Sequence, residues 1–172
     1  MRTYSEVTED GYTYDEVETV NENGETITVR TDKRGNVRSR AYSDGSRLEY
    51  TYNASKRDRL LGVQEKQANV TVRTFAYTYD EVGNLLTYTE KEGTEVEQRE
   101  TYTYNEFNQV IRVTQTAGVT YAYTYKDDST RALENINVNN DINIKPKLDD
   151  LGRNKGRDIY IGTDKIAEEQ IV

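Results

Sequence analysis

The chain of 172 residues has no cysteine, no histidine and no tryptophan, and only one proline, one methionine and two phenylalanines. Without cysteine there is neither a disulfide framework nor a thiolate site. Without histidine as well, no Ser-His-Asp or Cys-His arrangement can be built, and zinc loses its favoured ligands. The glycine-rich patterns G-x-x-x-x-G-K-[ST] and G-x-G-x-x-G are both missing, so no phosphate cradle is expected. No apolar run approaches the length of a membrane span. The amino terminus lacks a charged n-region followed by an apolar h-region, which is expected of a cytosolic protein or of an internal piece of a longer exported one. Hydrophobic residues make up only 34% of the chain, too few for a thick aliphatic core. The net charge is -8, with no basic stripe to neutralise phosphates, so nucleic acid is not an expected partner. The basic cluster Lys56-Arg57-Asp58-Arg59 is interrupted by an aspartate and reads as a solvated turn. The 31 acidic residues fall mainly in turn signals or on alternating positions, and no pair of them stands out as an acid and base. A non-catalytic protein without cofactor or metal is expected.

What the chain does have is tyrosine, 15 in all, and most of it alternates with small polar residues. Tyr12/Tyr14, Tyr50/Tyr52, Tyr77/Tyr79, Tyr102/Tyr104 and Tyr121/Tyr123/Tyr125 each have the spacing that puts side chains on one face of a β-strand. Tyrosine suits a thin sheet because its ring supplies buried area while its hydroxyl reaches water or a backbone partner. The strand Val70–Tyr79 places Phe75, Tyr77 and Tyr79 on one face against Thr74, Ala76 and Thr78. The stretch Gly118–Tyr125 does the same with Val119 and three tyrosines.

Turn signals follow the tyrosines. Tyr79-Asp80-Glu81-Val82-Gly83-Asn84-Leu85 reads Y-D-x-x-G-N-L, and Tyr104-Asn105-Glu106-Phe107-Asn108-Gln109-Val110 is a variant of it. Asp32 with Gly35, and Asp149 with Gly152, keep the turn and lose the tyrosine; Tyr52-Asn53 and Tyr125-Lys126 begin degenerate copies. Asp or Asn at the first position can accept bonds from backbone amides further along, and Gly or Asn at the fourth tolerates positive φ. These aspartates read as turn caps rather than calcium ligands, since no D-x-D-x-D cluster accompanies them. Between the copies lie Asn23-Gly24, Asp44-Gly45, Gln67-Ala68-Asn69, Glu92-Gly93 and Ala117-Gly118, which read as tight primed turns. The first turn positions, from Asp32 to Asp149, recur every 21 to 27 residues, a period typical of stacked hairpins.

The expected organisation is a hairpin array over residues 1–128, an irregular Asn-rich insertion over 129–147 containing the run Asn135–Asn143 and Pro146, and a further truncated hairpin over 148–172. Helix signals are nearly absent; Ile166–Gln170 could form one turn, although Ile171 and Val172 suit a strand equally.

The motif Y-D-x-x-G-[RN]-[LV], best at Tyr79–Leu85 and weaker at Asp32, Tyr104 and Asp149, resembles that of the RHS/YD-repeat family, with wall-associated proteins of Gram-positive bacteria as the nearest flavour. The resemblance spans roughly residues 10–165. It implies an all-β fold, an array of stacked antiparallel β-hairpins forming a curved single-layer sheet, a strip of a shell that encloses a carboxy-terminal toxin or effector. It further implies a secreted or cell-surface location, with the rest of the shell and its cargo as partners. The family's D-P-x-G segment for self-cleavage is missing, and so is a distinct toxin domain. Five or six hairpins could hardly close a shell, so the chain looks like an excised stretch of wall.

An alternative is a carbohydrate-binding or adhesion module in which Tyr102, Tyr104, Tyr121, Tyr123 and Tyr125 stack on cell-wall glycan. The same rings are nearly all the core this chain can build, which favours the structural reading. A free strand edge at either end also makes self-association an expectation, only partly countered by charges such as Lys165 and Glu168.

Overall fold

A computed structural model describes residues 1–55 and 58–171. Lys56 and Arg57 of the basic cluster, and Val172, lie outside the described residues. The described residues form fifteen β-strands, which lie in one antiparallel sheet in chain order. The chain divides into two units, residues Met1–Tyr79 with Tyr88–Gln98, and residues Asp80–Thr87 with Arg99–Val172; each is described by itself.

The first unit is built from β1 (Arg2–Glu9), β2 (Tyr12–Val20), β3 (Thr26–Asp32), β4 (Val37–Tyr42), β5 (Ser46–Asn53), β6 (Arg59–Gln67) and β7 (Val70–Tyr79). It also takes in most of β8 (Leu85–Glu92) and the start of β9 (Glu95–Tyr104). Register carries one face across the unit. Val17 lies opposite Val29, Ile27 opposite Tyr42, Arg40 opposite Leu48, Tyr50 opposite Val63, and Val63 opposite Phe75. Tyr77 and Tyr79 follow Phe75 at spacing two, and the Tyr77 ring meets Tyr88 at 5.6 Å between centroids. Tyr12 and Tyr14 are the exception. They pair with Glu9 and Val7, and Tyr14 with Asp32, on the opposite face from Val17. The first pair therefore does not join the core that the tyrosine rings were expected to build, because β2 presents Val17 rather than a tyrosine to the apolar side.

The second unit continues with the rest of β9, then β10 (Val110–Gln115), β11 (Thr120–Tyr125), β12 (Leu133–Val138), β13 (Ile142–Leu148), β14 (Asn154–Ile161) and β15 (Asp164–Gln170). Its apolar face runs from Tyr102 through Val113, Tyr121, Val138 and Ile142 to Ile161. Val113 is 8% exposed and is the one buried hydrophobic residue among those described. Half-buried rings, rather than a sealed interior, make up both cores.

One expectation fails here, and one choice left open is decided. Residues 129–147 are not irregular. They carry β12 and most of β13, because Asn135, Asn137 and Asn143 alternate with apolar residues while Asn139 and Asn140 form the turn. Ile136, Val138, Ile142 and Ile144 join the apolar face, while Asn135 and Asn137 both donate to Asn143 Oδ1, at 3.0 and 3.1 Å, on the other. Pro146 is tolerated because β12 pairs with β13 only as far as Ile144, so no ladder bond is asked of its missing N–H on that side. Residues 166–170 are likewise strand, held in register with β14 through a bulge at Ile166.

Candidate functional site

The repeated unit is the site the sequence singles out. Asp80 Oδ1 accepts from Gly83 N at 2.7 Å and Asn84 N at 2.8 Å, and Asn84 Nδ2 donates to its other oxygen at 2.8 Å. The Asp80 amide closes the loop by donating to Asn84 O at 3.0 Å. Asn105 makes the same loop with Phe107 N and Gln109 N, and Asp149 with Leu151 N and Arg153 N. Asp32 accepts from Arg34 N and Asn36 N. The fourth positions, Gly35, Gly83, Asn108 and Gly152, all have positive φ. Burial opposes ionisation of Asp80 and Asp32, yet the bonds they accept hold both carboxyls below the usual range. Neighbouring loops also touch, since Asn84 Nδ2 donates to Asn108 Oδ1 at 2.8 Å.

The turns between copies are less uniform than expected. Ala68-Asn69 is a two-residue turn with both φ positive, and so are Asp10-Gly11 and Asn139-Asn140. Asn23-Gly24 is instead the end of a larger loop capped by Asn21, whose Oδ1 accepts from Asn23 N and Glu25 N at 2.9 Å. Gln115–Val119 closes the same way without a side-chain cap. The competing Asx bond explains the difference at Asn21: it satisfies two amides that a tight turn would leave to water.

Two features escaped sequence reasoning. First, in three copies a tyrosine hydroxyl ties the unit to the one before it. Tyr79 Oη donates to Leu60 O at 2.9 Å, Tyr104 Oη to Leu85 O at 2.7 Å, and Tyr125 Oη to Val110 O at 2.8 Å. The acceptor in each case is the apolar residue that ends the preceding motif. Second, five hairpins carry a bulge just after the turn, at Arg38, Leu61, Ile111, Glu134 and Lys155. One extra residue moves the apolar spacing from two to three. Leu60 and Val63 thus face Tyr52 and Tyr50, Val110 and Val113 face Tyr104 and Tyr102, and Leu133 and Ile136 face Tyr125 and Tyr123. The signal was present after three of these turns as the apolar pairs Leu60/Val63, Val110/Val113 and Leu133/Ile136; strict alternation concealed it.

Tyr102, Tyr104, Tyr121, Tyr123 and Tyr125 are brought together on the apolar face of the second unit, each half-buried. Tyr102 Oη donates to Glu100 Oε2. Among the described residues no group of three or more His, Cys, Asp or Glu is arranged to hold a metal, and no helix is long and apolar enough to cross a membrane.

Burial pushes the pKa of Tyr52, Tyr77, Tyr79, Tyr102, Tyr104, Tyr123 and Tyr125 above the ordinary phenol range, with Glu100 adding to the effect at Tyr102. The folded state therefore prefers the neutral rings. Their contribution is complete below the unfolded value of about 10 and is lost as pH rises through the higher folded values. Phenolate absorbance followed against pH should show these rings ionising late and together with loss of β-sheet signal. A native titration overlying that of the urea-unfolded chain would contradict the burial described here.

Hairpins tied one to the next by a tyrosine hydroxyl define a repeat protein, in which stability passes between neighbours rather than through a common core. No family model and no curated protein matches the chain. Among solved structures, it is similar to a chain of the structure titled "Crystal Structure of TcdB2-TccC3-Cdc42", with a TM-score of 0.61 and 15% identity over 89% of this chain. The match spans 9% of that much longer chain, and the likeness shows a shared fold. A porin-like protein from Bacteroides uniformis gives a TM-score of 0.41 at 12% identity, over 92% of this chain and 81% of its own, too low a score to carry an argument.

Proposed function

We propose that the chain is a non-catalytic structural segment of a longer exported or cell-surface protein of the RHS/YD-repeat kind, one strip of a β-shell around a carboxy-terminal toxin or effector. The observation that carries this reading is the hydroxyl tie between successive copies, which makes each hairpin a support for the next. The motif resemblance supports it, and so does the recurrence of this fold as a small stretch of a far longer chain. The strand order, with β1 and β15 at the ends, leaves each a free edge on which further hairpins of the parent would pair. Its partners on this reading are the remainder of the shell and the enclosed cargo. The test is the gene on either side of this stretch. Further Y-D-x-x-G hairpins on both flanks, an export signal upstream and an unrelated effector domain downstream are expected. Stop codons or unrelated folded domains directly abutting both ends would refute the reading.

A further inference from the structure

An open trough of about 990 Å³ lies in the first unit, lined mostly by residues of the face opposite the apolar rings, with Tyr50 at its margin. Register explains why a trough forms there. Glu16, Arg30, Ser39 and Glu49 make one row across β2 to β5, and Thr28, Ala41 and Arg47 belong to the next. β4 contributes only Ser39 and Ala41 to these rows, between the long side chains of β3 and β5. Ser39, 5% exposed, is at the floor.

The walls are held rigid and largely neutralised. Arg30 Nε donates to Glu16 at 2.7 Å and its Nη1 to Glu9, and Arg38 pairs with Asp32 at 2.8 Å. Arg47 differs. Its one ion contact is Nε to Glu49 at 3.2 Å, a carboxylate already engaged by Lys66 at 2.6 Å, and that buried Nε makes no hydrogen bond among the described residues. A guanidinium fork left in this state is suited to a carboxylate that arrives with a ligand. With Glu16 on Arg30, five cationic side chains balance five carboxylates around the trough, in a chain whose net charge is -8. At the other end stand Tyr12 and Tyr14, the pair excluded from the apolar face; Tyr12 is 68% exposed. An exposed phenol ring offers an apolar platform with a polar rim, which matches a sugar ring. Strand spacing and rise put roughly 20 Å between the backbones of Tyr14 and Arg47, an oligosaccharide's length rather than one ring's. The volume is that of a ligand site.

We propose that this trough binds a short acidic oligosaccharide, with a sugar ring on Tyr12 and Tyr14 and a uronate carboxylate held by Arg47. The proposal does not depend on the shell reading. Calorimetric titration of the whole chain with tetragalacturonate, and with neutral cellotetraose as comparison, tests it. One saturable site that prefers the acidic sugar is expected. Arg47→Gln should weaken tetragalacturonate about tenfold, the loss of one charge-assisted pair, and leave cellotetraose unchanged. Tyr12→Ala should weaken both. Both substitutions are on exposed or half-exposed side chains, and circular dichroism checks that each variant folds. No saturable binding at millimolar tetragalacturonate, equal affinity for the two sugars, or indifference to Arg47→Gln would overturn the proposal.

Discussion

Gly156→Ala is expected to detach β15 from the sheet. Gly156 has φ of 140°, and a Cβ built there would stand 2.0 Å from Glu169 O and 3.0 Å from Gln170 Cα. Both obstacles are backbone, so no side chain can swing aside, and Gly156 is directly paired with Gln170. Beyond its backbone ladder with β14, β15 is held mainly by ion pairs: Lys147 and Lys165 bridge Asp158 and Glu168, and Arg157 meets Glu169 at 2.6 Å. Exposed pairs of this kind contribute at most about 1 kcal/mol each, which cannot offset an overlap with the main chain. Amide exchange is the measurement. Protection should vanish across residues 164–170 and persist in the first unit. Unchanged protection in β15 would overturn this expectation.

Val113→Asp is expected to disrupt the second unit more than any other single apolar change. Val113 lies opposite Tyr102 on one side and Tyr121 on the other. A carboxylate there would be stripped of water, with Glu100 the nearest charged neighbour along the same face of β9 and of the wrong sign. Burying an unpaired charge costs more than about 3 kcal/mol. Thr103→Asp, on the opposite and exposed face of β9, should cost less than about 1 kcal/mol. Urea unfolding of the two variants, followed by circular dichroism and by amide exchange in β9 to β11, separates them. Similar stabilities would show that the tyrosine face is not the core.

The asymmetry between these two sites illustrates what could be read in advance. Val113 sits between tyrosines that alternation alone assigns to one face. Gly156 carries no such mark: its close approach to β15 exists only once Lys155 bulges and the register resumes at Asn154. The Asn-rich stretch failed for a related reason. Asparagine was weighed by its turn preference, while Ile136 and Ile144, alternating with it, supplied the apolar contacts that prevailed. Tyr12 and Tyr14 satisfied the alternation rule and still faced the other way, because alternation defines a face without saying which one.

The amino-acid sequence by itself determined the class of structure: hairpins, their period, the Asp and Gly turn chemistry, and a core of tyrosine rings. These are local matters, settled by side-chain spacing and by bonds within five residues. Tertiary structure alone decided which face each strand presents, where a bulge resets the register, and which carbonyl receives each tyrosine hydroxyl. Those depend on pairing between strands some 15 to 20 residues apart, as from Tyr125 to Val110 and from Tyr104 to Leu85. A one-residue slip reverses every side chain, and only the partner strand can set it.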